Sequence, residues 1–273
     1  KLLAAPGQPH DNKLCATVVL EAARNDILAI ASIPTFDLNK IRGEDYYNIT
    51  FNDPNAPMIH RALEKNYPPG STIKPLILTA GLEERKISPQ ESISCSSYSL
   101  PPEGWPRCIL QRAPYNSGHD NQFGEGENFA RNAIRGSCNV YFSRLANRLD
   151  AKDLQKWLFD FGYGQDVLPT PFLDDSAASK RQIPQAHGNL IFGIQRNPAT
   201  SPSDLTEIPD YEKRWWGMGQ GNVRATVLQV ANALSAIARN GVYKSPRLVF
   251  DEQDPFNDKN RRQLPISSDT LSV

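Results

Sequence analysis

Cysteine is scarce in this chain, and the few present show no pattern. Four stand at positions 15, 95, 108 and 138 among 273 residues, and no C-x-x-C pair occurs. Zinc ribbons and fingers are built on such pairs, so the spacing predicts no structural zinc site. Cys95 and Cys108 flank a proline-rich loop, and the sequence leaves open whether they pair as a disulfide or stand as free thiols. No apolar run approaches the length of a transmembrane helix, and no signal-peptide pattern opens the chain. An excess of one charge is also lacking, since 30 basic residues balance 30 acidic ones. With no Lys/Arg-rich run, nucleic acid is not expected as a partner. G-x-S-x-G, G-x-x-x-x-G-K-[ST] and H-E-x-x-H are all missing, which removes the hydrolase elbow, the P-loop and the zincin helix. His10, His60, His119 and His187 lack ligand spacing and read as surface or loop residues. No metal or cofactor is expected.

Proline, by contrast, is abundant at 22 residues, and long loops follow from it. Apolar residues make up 39% of the chain, enough for a packed core in one large domain or two small ones. "CATVVLEAARNDILAIAS" at 15–32 reads as two strands joined by a turn at Arg24-Asn25-Asp26. A polar stretch runs from there to about 60, and one or two helical turns are expected within 56–66. Tyr67-Pro68-Pro69-Gly70 breaks the chain, and a buried helix is predicted from Ser71 to about Glu84. Residues 87–125 and 166–214 read as irregular. Residues 126–149 read as two helical pieces broken at Arg135-Gly136, with Tyr141, Phe142, Leu145 and Leu149 on one face of the second. Residues 153–164 predict a short helix stopped by Gly-Tyr-Gly. Residues 215–241 predict the clearest helix, with Val227, Val230, Ala231, Leu234 and Ile237 as its stripe. Residues 242–250 read as a strand. Strands, then many helices, then a strand predict a helical lobe inserted between sheet strands.

Chemistry concentrates in "YPPGSTIKP", residues 67–75. Three residues apart on a helix, Ser71 and Lys74 share a side, within reach of one another. A serine hydroxyl is a weak nucleophile, and a partly buried lysine with a lowered pKa can serve as its base. A helix N-terminus adds free backbone N–H groups for a developing oxyanion. The same residues also make an ordinary N-cap with a surface lysine, because Ser is a favoured cap. Ser137-Cys138-Asn139 is the second feature. A loop Ser-x-Asn offers a hydroxyl for proton relay and an amide for holding a substrate amide, while Ser137 equally fits as the cap of the helix beginning at Cys138. Gly217, Gly219 and Gly221 read as a tightly packed loop before a helix rather than as a phosphate cradle.

Taken together, these segments resemble the transpeptidase domain of penicillin-binding proteins, a superfamily carrying S-x-x-K, a Ser-x-Asn-type motif and K-T-G. "YPPGSTIKP" is similar to the nucleophile segment, and "AIRGSCNVYFSRLANRL" at 133–149 to the second motif with its helix. "FDFGYG" at 159–164, "MGQGNVRATVLQVANALSAIARNG" at 218–241 and "ILAIASIPTFDLN" at 27–39 resemble further family segments, in the right order over about residues 15–250. The wording is closer to the class B elongation type than to class A. The resemblance implies an α+β fold of the penicillin-binding/β-lactamase-like serine transpeptidase type, an antiparallel sheet with a helical lobe. It further implies one incomplete domain over 1–273, first sheet strands at 15–33 and the helical lobe at 71–241.

The implied activity is peptidoglycan D,D-transpeptidation. Ser71 would be the acylated nucleophile, Lys74 its base, Ser137 the proton relay and Asn139 the holder of the substrate amide. Peptidoglycan stem peptides and β-lactam antibiotics would be the molecules bound, and a glycosyltransferase of the elongation machinery a further partner. The expected location is the bacterial cell envelope, on the extracytoplasmic face of the cytoplasmic membrane, with a membrane anchor in the parent protein. Neither end of the chain marks a domain boundary, and the third motif is not found: "YKSP" at 243–246 has proline where glycine belongs. A chain stopping short of that motif is therefore expected. A non-catalytic homologue acting as scaffold or sensor is the competing reading. A serine β-lactamase is disfavoured, because no Glu is placed as a deacylating base.

Overall fold

The computed structural model describes residues 14–168, 183–259 and 261–273. Strands β1 (Cys15–Leu20) and β2 (Ile27–Ile33) pair antiparallel from Cys15 opposite Ile33 to Leu20 opposite Ile27, with an irregularity between Val19 and Leu20. The turn between them is fixed by Asn25, an asparagine with φ of 68°, a conformation this residue type tolerates. Its buried amide donates to Asn232 Oδ1 at 2.7 Å and to the Lys244 carbonyl at 2.8 Å. That side chain anchors the hairpin to the helical part of the molecule.

Ten α-helices follow among the described residues: α1 (Glu44–Phe51), α2 (Arg61–Glu64), α3 (Lys74–Glu83), α4 (His119–Phe123), α5 (Ala130–Arg135), α6 (Asn139–Arg148), α7 (Ala151–Asp160), α8 (Asp210–Trp216), α9 (Val227–Ala238) and α10 (Ser268–Leu271). Between α9 and α10, β3 (Val242–Lys244) pairs antiparallel with β4 (Arg261–Gln263). None of these helices is long and apolar enough to cross a membrane.

Helix α1 lies in the stretch that the sequence marks only as polar. Its Tyr47, Ile49 and Phe51 remain exposed, so it carries no buried stripe for periodicity to reveal. Glu44 and Asp45 in its first turn suit the positive end of the helix. The long helix expected over 215–241 is two helices with a turn between them. Gly219 and Gly221 take φ of 71° and 78°, which no α-helix continues through. Helix α9 then starts at Thr226, whose hydroxyl accepts from the Gln229 N–H while the Gln229 side chain reciprocates.

The expected apolar stripe of α9 is only half-buried. Its buried face is Leu228, Gln229, Asn232, Ala233 and Ala236. Gln229 is admitted because its amide donates to the carbonyls of Gly162, Gln165 and His187 at 2.9–3.1 Å. The expected strand at 242–250 is short, ending at Lys244.

The core forms where α3, α6, α7 and α8 meet. Tyr141, Phe142, Leu145 and Leu149 of the α6 segment are all fully buried, as their spacing predicts. Gly81 lets α3 lie against α6: a Cβ there would meet Leu145 Cδ1 at 2.6 Å. That crossing brings the start of α3 beside the start of α6, so that Lys74 meets Ser137 and Asn139.

Candidate active site

Ser71 is not a helix cap. It sits exposed within a 3-10 turn, Gly70–Ile73, and the residue preceding α3 is Ile73, with no side chain capping the helix. The turn is tied down from both sides. Gly70 N–H donates to the Gly219 carbonyl at 3.0 Å, and Tyr67 and Ala225 exchange backbone bonds of 2.8 and 2.9 Å. Gly70 has φ of 59°. Gly219 approaches so closely that a Cβ would meet the Gly70 carbonyl oxygen at 2.1 Å. The Gly-Gln-Gly loop is thus packing for the Ser71 turn, as its glycines suggest.

Lys74 points inward, and its side chain is almost wholly buried, at 2% exposure. Its Nζ donates to the Ser137 carbonyl at 2.7 Å, Ser137 Oγ at 2.9 Å and Asn139 Oδ1 at 2.8 Å. The Phe142 ring lies 5.6 Å away. Three acceptors match the three N–H bonds of an ammonium group. Burial pulls the amine down from 10.5 to about 8, while the sulfurs of Cys138 and Cys108 oppose that shift. A lysine in this range supplies a usable fraction of free amine near neutral pH.

Ser137 is not a cap either. It has φ of 51°, and Cys138 is the residue that caps α6, its sulfur accepting from the Tyr141 N–H at 3.4 Å. The exposed Ser137 hydroxyl is thereby presented to Lys74 rather than spent on the helix. Asn139 reaches Lys74 through Oδ1, and its Nδ2 makes one long bond of 3.4 Å to the Arg107 carbonyl. The structure brings Lys74, Ser137 and Asn139 into direct contact, with Ser71 one turn before Lys74. Lys244 of "YKSP" is engaged elsewhere, with Asp258 and the Phe256 carbonyl.

Two groups escaped the sequence reading. Glu212, buried, accepts from Trp216 Nε1, Asn222 N and Asn222 Nδ2, each at 3.0 Å, and so braces the Gly-Gln-Gly loop. The second is a cluster of Cys95, Cys108, His119 and Cys138, all buried, with donor atoms within 4.8 Å of one another. All three cysteines are free thiols, so the disulfide left open for Cys95 and Cys108 is not formed. His119, expected at the surface, is 1% exposed. The expectation of no metal site rested on C-x-x-C spacing, and that test does not apply here because the donors come from four separate segments. Hydrogen bonding to Cys138 and Cys95 pulls the Cys108 thiol down. Desolvation works against a charged His119, yet Cys108 and Cys138 raise it to about 10.

Comparison with known proteins agrees with this geometry. The chain is 30% identical over 86% of its length to the peptidoglycan D,D-transpeptidase MrdA of Haemophilus influenzae. It is 26% identical over 96% of its length to the stage V sporulation protein D of Bacillus subtilis. It spans 33% and 34%, respectively, of those two relatives. Among solved structures, a ceftriaxone acyl-enzyme complex of penicillin-binding protein A from M. tuberculosis superposes with a TM-score of 0.68 at 23% identity, covering 94% of this chain and 53% of that one. The family model described as penicillin binding protein transpeptidase domain matches residues 15–272, and the chain belongs to that family.

Proposed function

We propose that this chain carries the acylation machinery of a bacterial peptidoglycan D,D-transpeptidase of the class B elongation type. The observation that carries the reading is the buried Lys74 amine, bonded at once to Ser137 Oγ and Asn139 Oδ1, one turn from an exposed Ser71. Ser71 Oγ attacks the penultimate D-Ala carbonyl of a stem peptide while Lys74 takes the hydroxyl proton. The C–N bond to the terminal D-Ala breaks, and Ser137 passes a proton from Lys74 to the departing amine. Asn139 holds the substrate amide through its side-chain N–H. An amine of a neighbouring stem then attacks the ester, forming the crosslink and restoring the serine. A β-lactam opens its ring on the same Ser71 Oγ and stays as a slowly hydrolysed ester.

The reading needs no cofactor in the acyl transfer and places the protein in the bacterial cell envelope, facing the peptidoglycan. There a glycosyltransferase of the elongation machinery is a fitting partner, because it produces the glycan strands whose stems are joined. The test is incubation of the full-length protein with a fluorescent penicillin, followed by intact mass. A stable adduct lost in Ser71→Ala is expected. No adduct would instead favour a non-catalytic scaffold, and rapid turnover of the antibiotic would point to a lactamase.

A further inference from the structure

Asn139 is shared between Lys74 and a second residue that the proposed reaction does not use. Its Oδ1 accepts from Lys74 Nζ at 2.8 Å, and its Nδ2 donates to the Arg107 carbonyl at 3.4 Å. One planar amide therefore spans from the proposed base to the backbone of the loop that precedes α4. An amide nitrogen carries two hydrogens. The long bond to Arg107 takes one, and the other is left for a substrate carbonyl. A substrate held through Asn139 is thereby held beside Arg107.

The loop is fixed on both sides of Arg107. After it, Cys108 N–H donates to Gln111 Oε1 at 3.1 Å, and Gln111 Nε2 donates to the Ser96 carbonyl at 2.9 Å. Before it, Pro106 is buried, and the Trp105 ring carries the Arg214 guanidinium at 4.1 Å. Arg214 Nε in turn donates to Asn147 Oδ1 at 2.9 Å. Asn139 and Asn147 both belong to α6, so the loop is laid along that helix at two points. The Arg107 side chain itself is exposed, and among the described residues no carboxylate pairs with it. Other arginines are engaged: Arg148 pairs with Glu91 at 2.6 Å, and Arg224 donates to the carbonyls of Gly221 and Val223. Arg107 thus combines a held backbone with an unspent guanidinium at the edge of the site.

We infer that Arg107 reads a carboxylate on the acyl side of the bond that Ser71 attacks, so that the preferred donor is an acidic peptide. An acyl-D-Ala-D-Ala peptide and a penicillin both carry an amide next to the reacting carbonyl. Asn139 holds that amide, and the group beyond it runs towards Arg107, whose carbonyl lies on the same Asn139 nitrogen. A guanidinium grips a carboxylate through two parallel N–H bonds, which a neutral side chain does not match. No bond or proton is moved by Arg107. It sets which acyl donor is bound, and the inference rests on the acyl-enzyme reading.

The experiment compares carbenicillin with benzylpenicillin on the full-length protein. The two differ by one carboxylate, on the carbon attached to the side-chain amide carbonyl. Competition against a fluorescent penicillin gives the acylation rate constant of each. Arg107→Gln should lower the carbenicillin-to-benzylpenicillin ratio about fivefold, and Arg107→Glu should lower it further. Arg107→Lys should restore part of the ratio, since it keeps the charge but not the paired N–H groups. A second measurement needs no variant: added salt should lower the same ratio in the wild type. Two synthetic acyl-D-Ala-D-Ala peptides extend the test, the residue before the alanines bearing a free side-chain carboxylate or its amide. Arg107→Gln should raise KM for the acid far more than for the amide, with the larger effect in KM rather than kcat. Equal slowing of both penicillins, or a ratio that moves less than about twofold in the Gln variant and with salt, overturns the role of Arg107 alone. Failure of every penicillin to label Ser71 in the wild type overturns the acyl-enzyme reading, and this inference with it.

Discussion

Titrating the acylation rate is the sharpest test of Lys74. The amine is buried and pulled from 10.5 to about 8, with desolvation as the leading cause. If the free amine is the base, the rate follows its fraction: about a tenth at pH 7, half at pH 8 and nine-tenths at pH 9. The second-order rate constant for a fluorescent penicillin should therefore rise about tenfold between pH 6 and 7, bend near 8 and level off above 9. An ordinary exposed lysine would keep rising tenfold per unit through pH 9. Measurement from pH 6 to 10 by gel fluorescence, with intact mass as a cross-check, separates the two. A flat profile, or one still climbing at pH 10, refutes the assignment of Lys74 as a buried base.

The same shift fixes the sign of a stability effect. The folded chain holds the Lys74 proton less tightly than the unfolded chain does. Below pH 8 the charged, buried amine counts against folding, and the deficit is relieved as pH rises from 8 towards 10.5. Lys74→Met should abolish acylation. It should also leave the pH 8–10.5 window without this contribution in thermal unfolding, which an exposed lysine would not supply.

Further outcomes follow from packing and hydrogen bonds. Gly219→Ala places a methyl 2.1 Å from the Gly70 carbonyl oxygen at a positive φ, so the Ser71 turn must move; acylation should fall at least about tenfold, measured with the same penicillin. Glu212→Leu leaves Trp216 Nε1 and Asn222 N–H without their shared acceptor and should lower stability by about 1–3 kcal/mol for each buried donor left unpaired, measured in urea unfolding. Leu145→Ala, at a fully buried position against Gly81, should cost about 2–5 kcal/mol in the same assay with little change in the pH profile of acylation. Full activity in Gly219→Ala would show that the Gly-Gln-Gly loop does not set the position of Ser71.

Local features were legible in the sequence, and features assembled from afar were not. The β1–β2 hairpin, the break between α5 and α6 and the buried face of α6 follow from alternation, glycine and helical spacing. Ser71, Lys74, Ser137 and Asn139 were legible as two short motifs, but their direction was not. Whether a serine caps a helix or faces a neighbour depends on backbone angles such as the 51° φ of Ser137, which one residue name does not encode. Helix α1 escaped because its apolar side chains do not face a core. The polar face of α9 escaped because Gln229 and Asn232 are admitted by partners more than 40 residues away.

The cysteine–histidine cluster is the extreme case of that limit. Its members stand at 95, 108, 119 and 138, and none is within ligand spacing of the next. What joins them is the α5–α6 break, which was read from Arg135-Gly136 as the place of the Ser-Cys-Asn motif but not as a meeting point of distant cysteines. That turn closes on His119 through a carbonyl, carries Cys138 into the sulfur cluster and delivers Ser137 and Asn139 to Lys74. The residue between Ser137 and Asn139 is usually read as a spacer in a Ser-x-Asn motif. In this chain it is the point where a packed, soft-donor centre meets the proposed catalytic lysine's own hydrogen bonds.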